Sequence, residues 1–396
     1  METVIYNAFL IFPDRVEKGS INIRDGVIFR VALGGRTAAH SGDAVLEDLR
    51  GRYLAPGFVE LHTHGGGGFD FMDNTPEAII QAARTHLRHG TTTLLPTALA
   101  ADADTLKAFI AAFRQAKAQS SGVPRLPGVH MEGPYLNMAQ KGAISPKYIR
   151  NPDAREYEAL VEFAQGDIAR WTAAPELPGA LEMGDYLARR GVLPSIGHTD
   201  AEFAEVREAF AHGYTHCTHL YSAMSTIRRK QGFRTAGALE SAFLLEDMTV
   251  EIIADGCHLP AELLYYVYRV KGADKTCLTC DSMRCAGLSG VTEGVLGTGE
   301  DAVRVLIEDG VAKLPDRSAF AGSIATDDRL VRVMARSAGT PLHDAVRMMT
   351  LTPARVMGWD AEIGSIKPGK KADFAVLDTE LTVRRVMLGG EWIETD

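Results

Sequence analysis

His62 and His64 stand one residue apart at the end of an apolar run, Gly57-Phe-Val-Glu-Leu-His-Thr-His64, which then breaks into Gly65 to Gly68. On a β-strand, residues i and i+2 face the same way, so both imidazoles can grip one metal ion. The glycines let the backbone turn sharply just beyond them. For an isolated His-x-His, two polar residues at a strand end would be explanation enough. Here other strand candidates end in matching groups. Glu132 follows Pro127 to Met131, His198 follows Leu193 to Gly197, and His219 follows Tyr214 to Thr218. Asp255 and His258 follow Val250 to Ala254, and Asp281 follows Thr276 to Cys280. Each alone reads as a hydrogen-bonded structural residue; together they read as a convergent set. Nitrogen and oxygen donors of this kind suit zinc, iron or manganese, with no thiolate required. Such an ion lowers the pKa of a bound water toward ~7 and polarises a carbonyl oxygen. A neighbouring carboxylate then passes a proton to a leaving amine. The chemistry implied is hydrolysis of a C–N bond.

Convergence needs a scaffold that brings strand ends together. From Leu54 onward, short apolar runs alternate with amphipathic segments. One helix is expected at 76–89, capped by Thr75 with Pro76 in its first turn and stopped by Gly90. Others are expected at 200–211, 260–270 and 326–338. Strands are expected at Thr91 to Pro96 and Arg170 to Ala174, besides those before each polar residue above. Strand–helix alternation over this length predicts a parallel α/β fold, and the count suits a (β/α)8 TIM-like barrel, whose active site lies at the C-terminal strand ends. The first fifty residues read as short strands and turns. A strand pair is expected in Val4 to Phe12, and Asp25-Gly26 is a hairpin turn between Ser20–Arg24 and Val27–Val31. After Lys367-Pro-Gly-Lys the chain returns to β texture, with another strand pair around Gly389-Gly390. Neither end has enough strands for a core of its own, so both are expected to form one small β-sandwich module, residues 1–53 with 359–396, beside a barrel at 54–358.

Composition excludes several classes of function. A net charge of −9 without a long basic block argues against nucleic acid and anionic membranes as partners. No apolar stretch approaches ~18 residues, and the start lacks the pattern of a secretory signal. The five cysteines include Cys277-x-x-Cys280, but no second pair completes a zinc knuckle. Buried free thiols in a reducing cytoplasm are expected.

The motifs resemble a known family. His62-Thr-His64-Gly, Thr352-Pro-Ala-Arg-Val-Met-Gly358 and Gly364-Ser-Ile-Lys-Pro-Gly-Lys-Lys-Ala-Asp373 are similar to the amidohydrolase superfamily. Gly128-Val-His-Met-Glu-Gly-Pro-Tyr-Leu-Asn137, Ser195-Ile-Gly-His-Thr-Asp-Ala201, Thr218-His-Leu-Tyr-Ser-Ala-Met224, Ile253-Ala-Asp-Gly-Cys-His258 and Phe320-Ala-Gly-Ser323 resemble its N-acetylglucosamine-6-phosphate deacetylases. The resemblance covers nearly the whole chain. It implies that Glu132, His198 and His219 hold the common metal ion. It implies that His62 and His64, a pair some members keep, allow a second ion with Glu132 bridging, so that one or two ions bind per chain. Asp281 matches the catalytic carboxylate, and His258 a residue that contacts substrate near the reacting amide. Ala143, Ser222, Ala223, Ala321 and Gly322 match positions lining the sugar-phosphate site. A homodimer is likewise implied.

The chain departs from the family at four places. Ser222 stands where Asn is usual, Ile144 where His is frequent, and Cys280-Asp281-Ser282 where Thr-Asp-Ala is usual. The segment after Met224 reads Ser-Thr-Ile-Arg-Arg-Lys-Gln-Gly-Phe-Arg234, so Arg228, Arg229, Lys230 and Arg234 compete as the phosphate contact. The expected activity is removal of the N-acetyl group from an amino-sugar 6-phosphate, foremost N-acetylglucosamine 6-phosphate. The galactosamine isomer, a non-phosphorylated sugar and another N-acyl amine remain alternatives. So does a non-catalytic sugar-phosphate sensor.

Overall fold

A computed structural model describes residues 2–34, 40–119, 121–299 and 302–394. Eight parallel strands follow one another around a barrel in chain order: Phe58–Thr63, Thr91–Ala98, Val129–Glu132, Ile168–Ala173, Leu193–Ile196, His216–Cys217, Thr249–Ile253 and Thr276–Thr279. Nearly every residue in them is buried, as expected where helices cover a parallel sheet from outside and side chains fill its interior. Helices begin where the sequence supplies caps. Thr75 accepts from the Ala78 N–H to start Pro76–Arg88, and Asp102 accepts from the Thr105 N–H to start Ala103–Ala118. Gly90, at φ +100°, turns the chain directly into the next strand; a side chain there would strike the Phe58 ring.

The seam between the first and last strands is closed chiefly at the end that carries the site. The Asp281 N–H donates to the His62 carbonyl (3.1 Å), and the His64 N–H to the Ser282 carbonyl (2.8 Å). Glu60 reinforces the seam from inside. Its carboxylate accepts from the main-chain N–H of His62 (2.8 Å) and of Cys280 (2.8 Å) and from the Thr279 hydroxyl (2.6 Å).

The two chain ends form a separate sheet. From one edge it runs Glu391–Ile393, Val383–Leu388, Phe374–Leu377, Tyr53–Pro56, Glu2–Ile11, Val16–Arg24 and Val27–Leu33, with Val45–Asp48 paired to Glu2–Ile11. The boundary expected between 53 and 54 thus passes through a strand of this sheet. The Val27 edge bends back on the other half: the Ile28 N–H donates to the Lys370 carbonyl and the Gly369 N–H to the Ile28 carbonyl. Ile5, Leu10, Ile21, Leu54, Phe374, Val376 and Met387 share the enclosed core, so neither end completes it alone.

Three local expectations change. Val4 to Phe12 is not a strand pair but part of one strand, Glu2–Ile11; Asn7, at φ 53°, makes a bulge where the register slips, not a turn. The helix expected at 200–211 starts at Phe203, because Thr199 and Asp200 are engaged by Glu176. The helix expected at 326–338 is helical over Asp327–Arg332 and widens to a π-turn over Val333–Ser337. Three small antiparallel sheets were not anticipated: the pair Gly65–Gly66 with Phe69–Asp70, a hairpin, Arg228–Lys230 with Phe233–Thr235, and a three-stranded insert, Glu293–Leu296, Val303–Glu308 and Val311–Lys313. Four of the five cysteines are buried and all are free; Cys257 is partly exposed.

Candidate metal centre and its cavity

All six expected ligands meet at the C-terminal mouth of the barrel, in two groups. His62, His64 and Asp281 form one, and Glu132, His198 and His219 the other. In the first, the Nε2 atoms of His62 and His64 are 3.3 Å apart, and Asp281 Oδ1 lies 3.5 and 3.2 Å from them. In the second, the Nε2 atoms of His198 and His219 are 3.2 Å apart, and Glu132 Oε1 lies 3.1 and 3.0 Å from them. Glu132 joins the two groups, since its Oε2 lies 3.1 Å from His64 Nε2 and 3.5 Å from His62 Nε2.

Tautomers decide what this cluster is for. His62 Nδ1 lies 2.8 Å from the Glu251 carboxylate, and His198 Nδ1 lies 2.8 Å from the Gln140 carbonyl. Both contacts require the proton on Nδ1, which leaves a bare lone pair on each neutral Nε2. Those lone pairs face carboxylate oxygens and other imidazole nitrogens. Such an arrangement is repulsive without positive charge between the groups, and the donor set and spacing fit divalent cations bound by nitrogen and oxygen. Proton affinities tell the same story. Burial disfavours the charged form of His64, yet Asp281 and Glu132 outweigh it and raise its pKa to about 9. Burial would raise both carboxyls, but the surrounding imidazoles hold Glu132 well below its ordinary range and lower Asp281.

The backbone is bent to make this possible. His198, His219 and Asp281 each sit two residues beyond a strand, with φ of 49°, 28° and 43°. Left-handed conformations in such residues cost on the order of 1–3 kcal/mol each and concentrate at functional sites. Gly142 packs against the His198 ring.

Above the two donor groups opens a cavity of about 480 Å³, lined by His64, Glu132, His198, His219 and Asp281 at its floor. Ala143, Ser222, Ala223, His258 and Gly322 line it too. Its wall also includes Leu99, Gln140, Ile144, Leu296 and Phe320. Leu296 comes from the unanticipated insert. His258 is fixed by Asp255, whose Oδ2 accepts from its Nδ1 at 2.9 Å, while Asp255 Oδ1 accepts from the main-chain N–H of Cys257 and His258. Burial opposes ionisation of Asp255, but these donors prevail and lower its pKa.

The other expected contacts lie elsewhere. Ala321 is wholly buried among Met283, Cys285 and Val305 and does not reach the cavity. The four basic candidates sit on the hairpin and its flank, outside the cavity lining. Arg228 is clamped to the Asp200 carboxylate (2.8 Å) and carbonyl (2.7 Å), and Lys230 pairs with Glu202. Arg229 and Arg234 face each other across the two strands. Among the described residues, no Lys or Arg lines the cavity.

The amidohydrolase family profile matches residues 53–393. The chain belongs to the amidohydrolase family. Within it, the chain is 31% identical over 349 residues, 88% of each chain, to the N-acetylglucosamine-6-phosphate deacetylase of Haemophilus influenzae. It is 30% identical over 340 residues, 85% of this chain and 87% of the other, to the N-acetylgalactosamine-6-phosphate deacetylase of Escherichia coli. The crystal structure of the N-acetylglucosamine-6-phosphate deacetylase from Pasteurella multocida superposes with a TM-score of 0.90 at 26% identity, covering 99% of both chains. As an amidohydrolase, the chain places its metal-ligand candidates at the mouth of the expected barrel, with the terminal sheet set apart from it.

Besides Glu60, two charged residues inside the barrel escaped the sequence reading: Glu251, which holds His62, and Arg170, which holds Glu251 at 2.5 Å. The signal was available, since each is the only charged residue in an otherwise uncharged barrel strand, Thr249–Ile253 or Ile168–Ala173, the latter with Arg170 alone. Gln140, whose carbonyl orients His198, carried no such signal.

Proposed function

We propose that this amidohydrolase is a metal-dependent deacetylase of an N-acetylated amino-sugar 6-phosphate, foremost N-acetylglucosamine 6-phosphate, giving the free amino sugar phosphate and acetate. The observation that carries the reading is the meeting of Asp281, two imidazole pairs and bridging Glu132 beneath an open cavity. The relatives named above act on substrates of this class. The ligands fit one or two divalent ions, of which zinc is the proposed occupant and iron or manganese the alternatives. When bound, such an ion supplies Lewis acidity toward the acetyl carbonyl and a water acidic enough to attack near neutral pH.

The chain's own residues do the rest. Asp281, ionised and buried to all but 8%, takes the proton of the attacking water and later gives it to the departing nitrogen. One C–O bond forms, the amide C–N bond breaks, and the proton ends on the amine. His258, held from behind by ionised Asp255, faces the cavity and steadies charge building on the carbonyl oxygen. Ala143, Ser222, Ala223 and Gly322 bound the sugar, and their small side chains leave room for a pyranose ring. We propose a terminal module of residues 1–53 with 359–396, extended by the rest of the strand Tyr53–Pro56, beside a barrel that runs to residue 358, and a cytoplasmic homodimer in which Arg228, Arg229, Lys230 or Arg234 meets the phosphate. The absence of Lys and Arg from the cavity lining, among the described residues, favours a second reading, a sugar without phosphate.

One measurement separates the two: kcat/KM for acetate release from N-acetylglucosamine and N-acetylgalactosamine, each with and without the 6-phosphate. The first reading expects the phosphorylated sugars to lead by at least about tenfold; equal rates favour the second. No acetate from any of the four would overturn both and leave another N-acyl amine or the sugar-phosphate sensor.

A further inference from the structure

Arg170 and Glu251 are wholly buried and belong to strands that are not neighbours, so their ion pair crosses the barrel interior. Buried ion pairs seldom stabilise a fold more than apolar packing would, so their placement calls for another reason. Several of the contacts they make lead to the metal-ligand candidates. Glu251 Oε1 lies 2.8 Å from His62 Nδ1 and accepts from the His219 main-chain N–H at 3.2 Å. Glu251 Oε2 takes the Arg170 guanidinium at 2.5 Å and lies 3.5 Å from His216 Nε2. Arg170 in turn donates to the Thr218 hydroxyl (2.7 Å), the Leu61 carbonyl (3.4 Å) and the Ser195 hydroxyl (3.0 Å). Leu61 and Thr218 immediately precede His62 and His219, one ligand from each group.

We propose that the Arg170–Glu251 pair is a positioning device shared by both halves of the metal centre. Glu251 fixes His62 as the Nδ1–H tautomer, so that bare Nε2 is presented to an ion held with His64 and Asp281. The same carboxylate anchors the main chain of His219 beneath the other ion, and Arg170 keeps the carboxylate from rotating. Carboxylates behind metal-ligating imidazoles raise their basicity and fix their orientation; losing one costs about 10- to 100-fold in metal affinity. The proposal rests on the metal reading above, but not on the identity of the sugar.

The test is Zn2+ titration of chelated protein, read as binding isotherms and as ions per chain. Glu251→Gln leaves Arg170 buried without its counter-charge, so Glu251→Gln with Arg170→Met is measured beside it. Native protein is expected to take up two ions. In both variants the dissociation constant of one ion should rise about 10- to 100-fold, while the ion of Glu132, His198 and His219 shifts by less. Circular dichroism and Tm report whether each variant folds. Unchanged constants in a folded variant would overturn the proposal, as would equal weakening of both ions alongside a fall in Tm. A native count below two would overturn it as well; acetate release, measured separately, reports on the deacetylase reading. If neither variant folds, 15N spectra of imidazole-labelled native protein decide: a proton on His62 Nδ1 supports the proposal, and one on Nε2 overturns it.

Discussion

Two buried groups of metal-type donors share the barrel, and they look alike in composition. One is the pair of triads around Glu132; the other is His86, Cys280 and Asp327, also fully buried. In the first, donor atoms of each triad stand 3.0–3.5 Å apart, a spacing that a single ion can span. The donors of the second also lie within 4.8 Å of one another, but none of the three lines the cavity. The electrostatics are opposite in sign. Imidazoles around Glu132 and Asp281 keep those carboxyls ionised, whereas burial pushes Asp327 well above its ordinary value, with Glu60 adding to it, and burial lowers His86. The first group invites a cation; the second is a polar seam filler that keeps its proton. Donor type alone does not make a site; convergence, access and charge together do.

Variants can break this contrast. The largest effect is expected at Asp281: Asp281→Asn should lower kcat by on the order of 10²–10⁴-fold while at least one ion stays bound, checked by steady-state rates and metal content. Near-native turnover would remove Asp281 from the proton path. Next comes His62→Gln with His64→Asn, which should reduce the count from two ions to one; two ions in the variant would mean that the pair is not a ligand set.

Acidity gives a third probe. In metal-free protein His64 keeps a proton up to about 9, against 6.5 in a free side chain, so its ion pairs stabilise the fold fully below about 6.5. That stability is lost as pH rises through about 9, and the Tm of chelated protein should fall across this window. An incoming ion must displace the same proton, so Zn2+ affinity should strengthen by up to about tenfold per pH unit over the same range. A pH-independent affinity would refute the assignment. The smallest effect is expected at the sealed group. Asp327→Asn should leave the ion count and kcat unchanged. Because the native carboxyl is raised, it costs stability as pH climbs above its unfolded value, 3.8, and the variant's Tm should depend less on pH there. Loss of an ion in Asp327→Asn would promote the second group to a metal site.

Much of this was legible in the residues. Apolar runs ending in His, Glu or Asp locate the barrel strands and the six ligands, because a strand's last residues must face the mouth. The hairpin turn at Asp25-Gly26 and the Thr75 cap were readable because their chemistry is local. The strand pair expected in Val4 to Phe12 is a single strand because left-handed Asn7 makes a bulge there and not a turn. The insert at 293–313 was missed because its core, Leu296, Val305 and Ala312 against Met283, is assembled from residues without periodic signal. Ala321 follows the family motif but packs inward, and Arg228 and Lys230 are paired by Asp200 and Glu202 from another segment. Partners distant in sequence leave no local trace.

The terminal sheet also has a consequence in time. Ile5 and Leu10 share their core with Phe374, Val376 and Met387, and Phe374–Leu377 is the strand that pairs Tyr53–Pro56 on its open side. At roughly 5–20 residues per second, a ribosome needs about 20–70 s to travel from one set to the other. Throughout that interval the first strands are on offer with their apolar faces uncovered. The barrel can close behind them while its own N-terminal neighbour waits for Phe374 to Met387.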